Sequence, residues 1–366
     1  MGYVAVKGGS ASIDASLERL KYERLRSGTS IDTADIAASL RALVDQVMSE
    51  GSLYAECVAA LALKQAEGSP EEAVFILRAF RSTLQRSYYS RTIEGDSMQV
   101  ERRISSCFKD IPGGQVLGAS ADYSHRLIDP ALGAEDDAAA RAFVDGYLSR
   151  PFSPRGWAPY PRVTDLLAGD GLLRLFPRDD SGPDDVTKEG LSFPSSRSMR
   201  LQVLARGQTG AVTALGYASL RGYGAVHPTV AELRFGRLPV YVANPEGGGE
   251  GPDDDYYLGF IRATEVETVI PVQVPDGSGG ERIEFSVGYG FCFGRNETKA
   301  IAMSLLDYCL EYKDERYPTH DEEFVLLHID SVEATGFISH LKLPHYVTFQ
   351  SSLDSARATA KGKIDE

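Results

Sequence analysis

The sequence predicts an α+β protein with a helical N-terminal module, a mainly antiparallel β module and a C-terminal α/β segment. Apolar residues recur at helical spacing between residues 31 and 90. Strand-like runs divided by glycine-rich turns follow between 199 and 290. A further helical pattern covers 294–312, so helices flank the β region on both sides.

Composition divides the chain into four parts. Residues 130–165 join an acidic, alanine-rich piece to a proline-rich piece, and we interpret them as a variable connection with one short helix. The other parts are a helical N-terminal module (1–129), a β-rich middle module (166–290) and a C-terminal helix with a histidine-containing segment (291–366).

The N-terminal module is predicted to begin with a short strand and to continue with three helices. The third helix has the strongest start signal, because Ser69 is a good cap, Pro70 suits the first turn and Glu72 follows three residues after the cap. The predicted ranges are 3–9 for the strand and 31–51, 53–68 and 69–90 for the helices.

The middle module is predicted to consist of short strands, and a capped helix follows it. The strand ranges are 201–207, 211–220, 231–244, 260–274 and 281–290. Asn296 is the predicted cap of the helix, and residues 355–366 are expected to fray.

Charge and cysteine content restrict the class of protein. The formal net charge is -14 and the pI is near 5.0, which argues against nonspecific binding of nucleic acid or of an anionic membrane. No stretch of about 18 apolar residues occurs, and the N-terminus has no secretory pattern. The four cysteines never form a CxxC pair, which suits a reducing cytoplasm. We therefore expect a cytoplasmic protein. The net negative charge does not exclude a small polyanionic ligand, because such a ligand needs only a local basic pocket.

Seven segments, in order along the chain, together resemble one protein family. They are YVAVKGG (3–9), ALALKQAEG (60–68), ERRISSCFKDIPGGQVLGASADYSHRLID (101–129), RLQVLARG (200–207), RGYGAVHP (221–228), GYGFCFGRNETKAIAMSLLDYCL (288–310) and DEEFVLLHIDSVEATGFISHLKLPHYVTFQ (321–350). The family is the I subunit of the bacterial carbon–phosphorus lyase core complex (PhnI). Residues 130–165 and 245–280 depart from what we expect of that family.

The resemblance implies a role in the use of phosphonates as a phosphorus source. It implies nucleosidase-type chemistry in which methylphosphonate displaces the purine from ATP or GTP. The product would be α-D-ribose 1-methylphosphonate 5-triphosphate, formed together with the G, H and L subunits. The J subunit, which carries the iron–sulfur chemistry of C–P bond cleavage, is a further expected partner, and so is a second copy of this chain.

Such a reaction needs cations and backbone donors to hold the triphosphate. The basic run 78–109 is the best source of these, since arginine suits bidentate phosphate contacts. Lys7 lies beside two glycines that let backbone N–H groups approach a ligand. The alternative is that the arginines are solvated ion pairs. The predicted phosphate ligands are Lys7, Arg78, Arg81, Arg102, Arg103 and Lys109.

The reaction also needs a carboxylate beside the ribose and a proton donor for the leaving purine. Segment 321–340 is dense in suitable groups, and we assign Glu323, His328 and Asp330 as candidate catalytic residues. His125 and His227 are alternatives. A lone histidine is more often a hydrogen-bonded structural group, so the residues themselves leave the choice of catalytic acid open.

His340 and His345 stand five residues apart, with Pro344 before the second. A straight helix would separate their directions by about 140°, and a strand would place them on opposite faces. A bend at Pro344 could bring the two imidazoles together. They would then suit zinc with ligands added from elsewhere, or they simply pack a turn. The resemblance implies a metal site that faces the J subunit.

Two other functions compete with a catalytic subunit. One is a non-catalytic scaffold whose family-like segments bury the surfaces of partners. The other is a stand-alone metallohydrolase, which predicts loss of activity on chelation and on substitution of His340.

Overall fold

The computed structural model describes residues 9–107, 109–151, 160–174, 181–221, 227–246, 254–342 and 346–362. The helices of these residues are α1 (Gly9–Leu25), α2 (Thr33–Ser39), α3 (Arg41–Gly51), α4 (Glu56–Gln65), α5 (Pro70–Ser82), α6 (Asp137–Leu148), α7 (Val163–Gly169), α8 (Arg197–Arg206), α9 (Thr209–Arg221), α10 (Glu297–Tyr312), α11 (Glu322–His328), α12 (Ser331–Ser339) and α13 (Tyr346–Gly362). The strands are β1 (Gln99–Ser105), β2 (Thr229–Val242), β3 (Tyr256–Pro275) and β4 (Glu281–Phe293). The predicted α+β class is therefore confirmed.

The chain divides into two compact units, each assembled from separate segments. The first unit comprises Met1–Arg86, Pro177–His227 and Gly288–Glu366. The second comprises Ser87–Phe176 and Pro228–Val287. Residues far apart in sequence thus share one unit. None of the described helices combines the length and apolarity required to cross a membrane.

The first unit begins with helices that pack around an apolar core. Val44, Met48 and Leu77 are fully buried there. The predicted start of α5 is confirmed, because the Ser69 side chain accepts a hydrogen bond from the Glu72 N–H at 3.4 Å. The single helix predicted over 31–51 is wrong: it is divided at Leu40, whose ψ of 43° interrupts the helix. The helical spacing of apolar residues is too coarse a signal to reveal a break at a single residue.

Helix α1 carries no buried residue, so no apolar stripe signals it in the sequence. Residues 3–8 of the strand predicted over 3–9 lie outside the described residues. Gly9, the last residue of that prediction, is the first residue of α1.

The second unit is built on a sheet with strand order β1-β2-β3-β4. β2 pairs antiparallel with both β1 and β3. The predicted strands at 231–244, 260–274 and 281–290 are confirmed as β2, β3 and β4, with bounds shifted by a few residues. β1 was not predicted. From Gly288 onward, β4 belongs to the first unit.

The strands predicted at 201–207 and 211–220 are wrong, since both segments are helices, α8 and α9. Short apolar runs cannot be assigned to helix or strand by periodicity alone. Ser196 caps α8 by accepting a hydrogen bond from the Met199 N–H at 3.0 Å. In α9, Gly216 lies so close to α10 that an added Cβ would be 2.8 Å from the Ala302 Cβ. This packing against α10 supports the helical form.

The predicted cap of α10 is confirmed: the Asn296 side chain accepts a hydrogen bond from the Lys299 N–H at 3.2 Å. The two glycines of GYG (288–290) allow close packing against α10, because a Cβ at Gly288 or Gly290 would collide with backbone carbonyls of α10. The expectation that 355–366 frays is wrong as far as Gly362, where α13 ends. Residues 363–366 lie outside the described part of the chain.

Candidate functional site

Arg78 lies on α5 in the first unit and binds three other segments of that unit. Its Nη1 donates to both carboxylate oxygens of Asp330, at 2.9 and 2.7 Å. Its Nε donates to the Glu50 carbonyl at 3.0 Å and its Nη2 to the Arg206 carbonyl at 3.1 Å. One predicted phosphate ligand and one predicted catalytic residue are therefore bound to each other.

Arg206, the last residue of α8, reaches the same carboxylate. Its Nη2 is 3.8 Å from Asp330 Oδ2, and its Nη1 donates to the Val186 carbonyl at 2.5 Å. Its Nε is buried and has no hydrogen-bond partner among the described residues. Burial, together with the nearby charges of Arg78 and Arg81, lowers the pKa of Arg206 to about 10, although Asp330 opposes the shift. This guanidinium would gain from an anion.

Arg81 stands one turn after Arg78 on the same face of α5. Its Nη1 donates to the Gly51 carbonyl at 2.7 Å, and its side chain is partly exposed. Burial and the charges of Arg78 and Arg86 lower the pKa of Arg81 below its ordinary value, and Asp185 partly opposes them. Among the described residues, Arg81 has no carboxylate within ion-pair distance.

We call Arg78, Arg81, Arg206 and Asp330 together the arginine cluster. Among the described carboxylates, only Asp330 pairs with guanidinium groups of the cluster, and it pairs with those of Arg78 and Arg206. Positive charge therefore exceeds negative charge within the cluster. Such an excess favours binding of a phosphate group, because guanidinium groups form charge-assisted bonds with phosphate oxygens.

Buried charges fix the corner between α8 and α9 that carries Arg206. Lys299 is fully buried, and its Nζ donates to the Ala205 carbonyl at 2.7 Å. Glu50 Oε1 accepts hydrogen bonds from the Thr209 N–H and hydroxyl, both at 2.8 Å. A cation thus lies at the C-terminal end of α8 and an anion at the N-terminal end of α9, which is the arrangement that helix dipoles favour.

Asp330 caps α12, since its Oδ1 accepts hydrogen bonds from the Val332 and Glu333 N–H groups at 2.9 and 3.1 Å. Burial alone would raise the pKa of Asp330. The charge and hydrogen bonds of Arg78, the Glu333 N–H and the charge of Arg206 more than offset burial, so the pKa lies below its ordinary value. Asp330 is ionised at neutral pH and cannot serve there as a proton donor.

Glu323 and His328 lie at opposite ends of α11, and both are exposed. His328 Nδ1 is 2.6 Å from the Phe324 carbonyl, which can only accept, so Nδ1 carries hydrogen. The lone pair of the neutral ring is then on Nε2. Five residues separate the two side chains and turn them about 140° apart on the helix. The structure places them on one element but does not bring them onto one face.

Arg103 lies on β1 in the second unit and is fully buried. Its Nε and Nη2 bind the two carboxylate oxygens of Glu232. Its three other N–H groups donate to the carbonyls of Pro112, Gly114 and Pro161 at 3.0–3.3 Å. Every N–H of Arg103 is bound to protein, so a phosphate could bind only by displacing these groups.

Arg102 is 3% exposed, and its guanidinium donates to the Leu117 carbonyl and to Asp122, both at 2.6 Å. Lys109 is exposed. Lys7 lies outside the described residues. The six predicted phosphate ligands thus do not form one group: only Arg78 and Arg81 are brought together.

The histidine pair is described only in part, because His345 and Pro344 lie outside the described residues. His340 follows α12, and its Nδ1 hydrogen-bonds the Phe337 carbonyl. Its Nε2 is therefore the nitrogen that it could offer to a metal. No group of three His, Cys, Asp or Glu side chains suited to a metal occurs in the described part of the chain. Zinc stays a prediction that needs ligands from elsewhere.

The sequence interpretation gave no role to Arg206 or His320. The sequence analysis placed Arg206 in a strand. If Ser196 is interpreted as a helix cap, Arg206 falls in the last turn of α8. No local signal distinguishes His320 from the other histidines. The alternatives His125 and His227 are both exposed.

Comparison with known proteins decides the family. Residues 2–363 match the family described as "Bacterial phosphonate metabolism protein (PhnI)". The chain belongs to the PhnI family. Two relatives share the name "Alpha-D-ribose 1-methylphosphonate 5-triphosphate synthase subunit PhnI". The one from Rhizobium meliloti (strain 1021) is 43% identical over 97% of this chain and 94% of its own length. The one from Escherichia coli (strain K12) is 44% identical over 96% of each chain. The expected PhnI resemblance is thus confirmed.

Proposed function

We propose that this chain is a subunit of an α-D-ribose 1-methylphosphonate 5-triphosphate synthase in phosphonate catabolism. We propose further that its arginine cluster holds the triphosphate of a purine nucleoside triphosphate. The names of the two relatives support the first statement. The second depends on one observation: the single carboxylate of the cluster pairs with two of its three guanidinium groups, those of Arg78 and Arg206, and the buried Nε of Arg206 has no partner among the described residues.

The proposed reaction exchanges one bond at the anomeric carbon of the ribose. The bond from C1′ to the purine nitrogen breaks, and a methylphosphonate oxygen bonds to C1′. The purine leaves with the bonding electron pair and takes up a proton, while the triphosphate stays on the 5′ carbon. Such displacements pass through an oxocarbenium-like ribose, so they need a carboxylate near C1′ and a proton donor for the leaving group.

Within this proposal the predicted residues take different roles. Arg81 is the cluster member with the fewest protein contacts, so it is the one that binds the phosphates most directly. Asp330 acts as a positioning residue, because its charge is already opposed by Arg78 and Arg206. Glu323 and His328 are exposed and point about 140° apart on α11, so they are alternative candidates at the anomeric carbon: Glu323 as the carboxylate that opposes the ribosyl cation, or His328 as the proton donor.

The C-terminal helices support membership of a multi-subunit enzyme. Large apolar side chains on or beside α12 and α13 are 62–73% exposed. They are Phe337, Ile338, Leu341, Val347 and Phe349. Apolar surface of this kind commonly marks an interface. We propose that the G, H, J and L subunits, or a second copy of this chain, are the partners. His340 would offer its Nε2 to zinc at such an interface.

The same exposed apolar residues favour a second candidate, a non-catalytic scaffold of the same complex. To separate the two functions, we would incubate the full chain, alone and within the assembled complex, with ATP or GTP and methylphosphonate. Free purine and ribose 1-methylphosphonate 5-triphosphate would be quantified by chromatography. Purine release by the chain alone supports the enzyme, whereas activity of the complex that survives both Glu323→Gln and His328→Gln supports the scaffold.

A matched pair of variants tests the arginine cluster. Arg81→Gln and Arg237→Gln each remove one positive charge, and Arg237 is a half-exposed arginine of the second unit bound to Glu101. We expect Arg81→Gln to weaken nucleoside triphosphate binding and Arg237→Gln to leave it unchanged. Equal effects of the two variants would show that only the overall charge matters and would remove the proposed site.

A further inference from the structure

The segment that joins α8 to α9 holds two members of the arginine cluster in place. We call residues 205–209 the corner, and they belong to the first unit. Arg206 is the last residue of α8. The Gln208 N–H donates to the Ile329 carbonyl at 2.7 Å, directly before Asp330 in the chain. The corner therefore determines where the Arg206 guanidinium lies relative to the Asp330 carboxylate.

All four carbonyls at the C-terminal end of α8 are bound, and cations bind the last two. The Gly207 N–H donates to the first two at 2.8 and 3.1 Å. Lys299 Nζ donates to the Ala205 carbonyl at 2.7 Å, and Arg78 Nη2 donates to the Arg206 carbonyl at 3.1 Å. The last four carbonyls of a helix lack helical partners, and cations there also interact favourably with the helix dipole. Lys299 and Arg78 thus complete the same helix end.

Lys299 is fully buried, which is unusual for a lysine. Its Nζ binds a carbonyl rather than a carboxylate, and a buried ammonium group is costly without a paired counter-charge. Burial lowers the pKa of Lys299 below its ordinary value, and the charge of Arg78 adds to this effect, whereas Glu50 and Cys292 oppose it. A methionine would fill a similar volume without this cost, so packing alone does not account for a lysine here.

Glu50 fixes the other side of the corner. Its Oε1 accepts hydrogen bonds from the Thr209 N–H and hydroxyl, both at 2.8 Å. Its backbone carbonyl accepts a hydrogen bond from Arg78 Nε at 3.0 Å. A change in the corner therefore affects Arg206 directly and Arg78 through Glu50.

We propose that Lys299 is a positioning residue for the phosphate groups of the ligand. It does not touch the ligand, since it has no exposed surface. It holds the Ala205 carbonyl and so fixes the orientation of Arg206 beside Arg78. This inference rests on the proposed phosphate site and adds to it a buried residue that acts through Arg206.

Three variants separate positioning from a role in stability alone. Lys299→Met removes the ammonium group and keeps a side chain of similar volume. The double variant Lys299→Met with Glu50→Gln also removes the carboxylate that the lysine no longer opposes, while the glutamine oxygen can still accept from Thr209. Arg200→Met is the matched control, because Arg200 is a 5% exposed cation of the same helix whose Nη1 donates to the Ser195 carbonyl at 2.6 Å. None of its described hydrogen bonds or ion pairs joins the arginine cluster.

We would measure the binding of ATP and inorganic tripolyphosphate to the full chain by calorimetry, and urea unfolding would verify folding. We expect both Lys299 variants to bind each ligand about tenfold more weakly, a coupling typical of groups in one hydrogen-bond network. The double variant should recover part of the lost stability but not the affinity. Arg200→Met should lose stability and keep ATP affinity within about twofold of wild type.

The assembled complex gives a second readout. In both Lys299 variants the KM for ATP should rise while kcat changes little, because the groups at the anomeric carbon are not altered. Folded Lys299 variants that bind ATP and tripolyphosphate within about twofold of wild type would overturn the inference. An equal loss of affinity in Arg200→Met would also overturn it.

Arg81→Gln distinguishes failure of this inference from failure of the phosphate site. If Arg81→Gln weakens ATP binding and the Lys299 variants do not, the phosphate site stands and the positioning role is wrong. Wild-type chain that binds neither ATP nor tripolyphosphate, alone or in the complex, overturns both proposals.

A measurement on the wild type keeps the test decisive if the Lys299 variants do not fold. A ligand held by Arg206 should stabilise the corner that Lys299 fixes, because coupling between two sites is reciprocal. Tripolyphosphate should therefore slow hydrogen exchange in peptides that contain Gln208 and Thr209, measured by mass spectrometry, more than in peptides of β2 and β3. Equal slowing in both regions, or none at the corner, contradicts the positioning role.

Discussion

Each unit of the molecule contains a group of three partly or fully buried arginines, and the two groups differ in charge balance. In the second unit, Arg103, Arg162 and Arg234 pair with four carboxylates, those of the glutamates Glu232, Glu265 and Glu267 and of the exposed Asp96. In the first unit, Asp330 is the only described carboxylate that pairs with the arginine cluster, and it pairs with Arg78 and Arg206 but not with Arg81. The group of the second unit, which we call the balanced group, is neutralised by its own carboxylates. The arginine cluster keeps a net positive charge that can bind an anion. In our proposal, the same residue type therefore stabilises the fold in one unit and binds a ligand in the other.

The largest effect should come from breaking the balanced group. Arg103→Met leaves Glu232 buried without its partner, and burial already raises the pKa of Glu232. We expect the free energy of unfolding to fall by about 3–5 kcal/mol, as for other buried ion pairs that lose one member. Urea unfolding followed by circular dichroism would measure the loss.

The double variant Arg103→Met with Glu232→Gln is the control, since it removes the uncompensated charge. It should recover part of the lost stability. A loss below about 1 kcal/mol for Arg103→Met alone would show that the pair is dispensable for the fold. Nucleotide affinity that falls in a fully folded Arg103→Met chain would return Arg103 to the phosphate site.

Arg81→Gln should have the opposite profile. Arg81 has one carbonyl contact and no described carboxylate partner, so its replacement should change the free energy of unfolding by less than about 1 kcal/mol. Affinity for a nucleoside triphosphate should fall at least about tenfold, because a charge-assisted bond contributes about 1.5–3 kcal/mol. Calorimetry with ATP measures it. A stability loss as large as that of Arg103→Met would erase the distinction between the two groups.

Asp330→Asn sharpens the comparison by changing the charge balance of the cluster without removing an arginine. At pH 7 we expect a stability loss of about 1.5–3 kcal/mol from the weaker bonds to Arg78. ATP binding should be as tight as in wild type or tighter, because net positive charge increases. Weaker ATP binding by a folded Asp330→Asn chain would mean that Asp330 contacts the ligand directly.

The pH dependence of Asp330 has a definite sign. Its folded pKa lies below the ordinary value of 3.8, so its stabilising contribution is complete above that value and is lost as the pH falls through the folded pKa. Urea unfolding at pH 7 and near pH 3 should therefore show a smaller difference between Asp330→Asn and wild type in acid. An equal difference at both values would show that the carboxylate charge contributes nothing.

A smaller effect is expected at His320, a buried residue of the first unit whose side chain can be neutral. Burial lowers the pKa of His320 below 6.5, and Asp314 only partly opposes the shift. The unfolded chain then takes up a proton before the folded one as the pH falls below 6.5, so stability decreases in that direction. His320→Gln should give a flatter stability profile between pH 7 and 5. Identical profiles would show that the ring titrates freely in the fold.

The smallest effect on the isolated chain is expected for His340→Ala. His340 lies beside exposed apolar residues, so its replacement should change the free energy of unfolding by less than about 0.5 kcal/mol. Zinc content of the assembled complex, measured by atomic emission, should fall more than purine release by the chain alone. Equal losses in both measurements contradict a metal site at a subunit interface.

Local signals in the sequence predicted the elements that local physics controls. The starts of α5 and α10 follow from Ser69 and Asn296, whose side chains bind N–H groups three residues later. The break at Leu40 and the helical form of 201–220 were missed. In each case the deciding contact is not in the local pattern: α9, for example, is held by the close approach of Gly216 to Ala302 of α10.

The candidate site was predicted only in its residue types. Arg78, Arg81 and Asp330 were each selected, but their association was not, and Arg206 was missed. Arg103 was selected for the same role although all its N–H groups bind the protein. A basic run shows where positive charge occurs in the sequence. It does not show whether other groups of the folded chain have already neutralised that charge.

By itself, the sequence determined the α+β class, the capped helices and the family, because these depend on neighbouring residues and on ordered segments of the chain. Only the tertiary structure decided which arginines remain able to bind an anion. Arg78 meets Asp330 across 252 positions of sequence, and Arg103 meets Glu232 across 129. The availability of a guanidinium group depends on such distant carboxylates and carbonyls, which approach it only when the chain has folded.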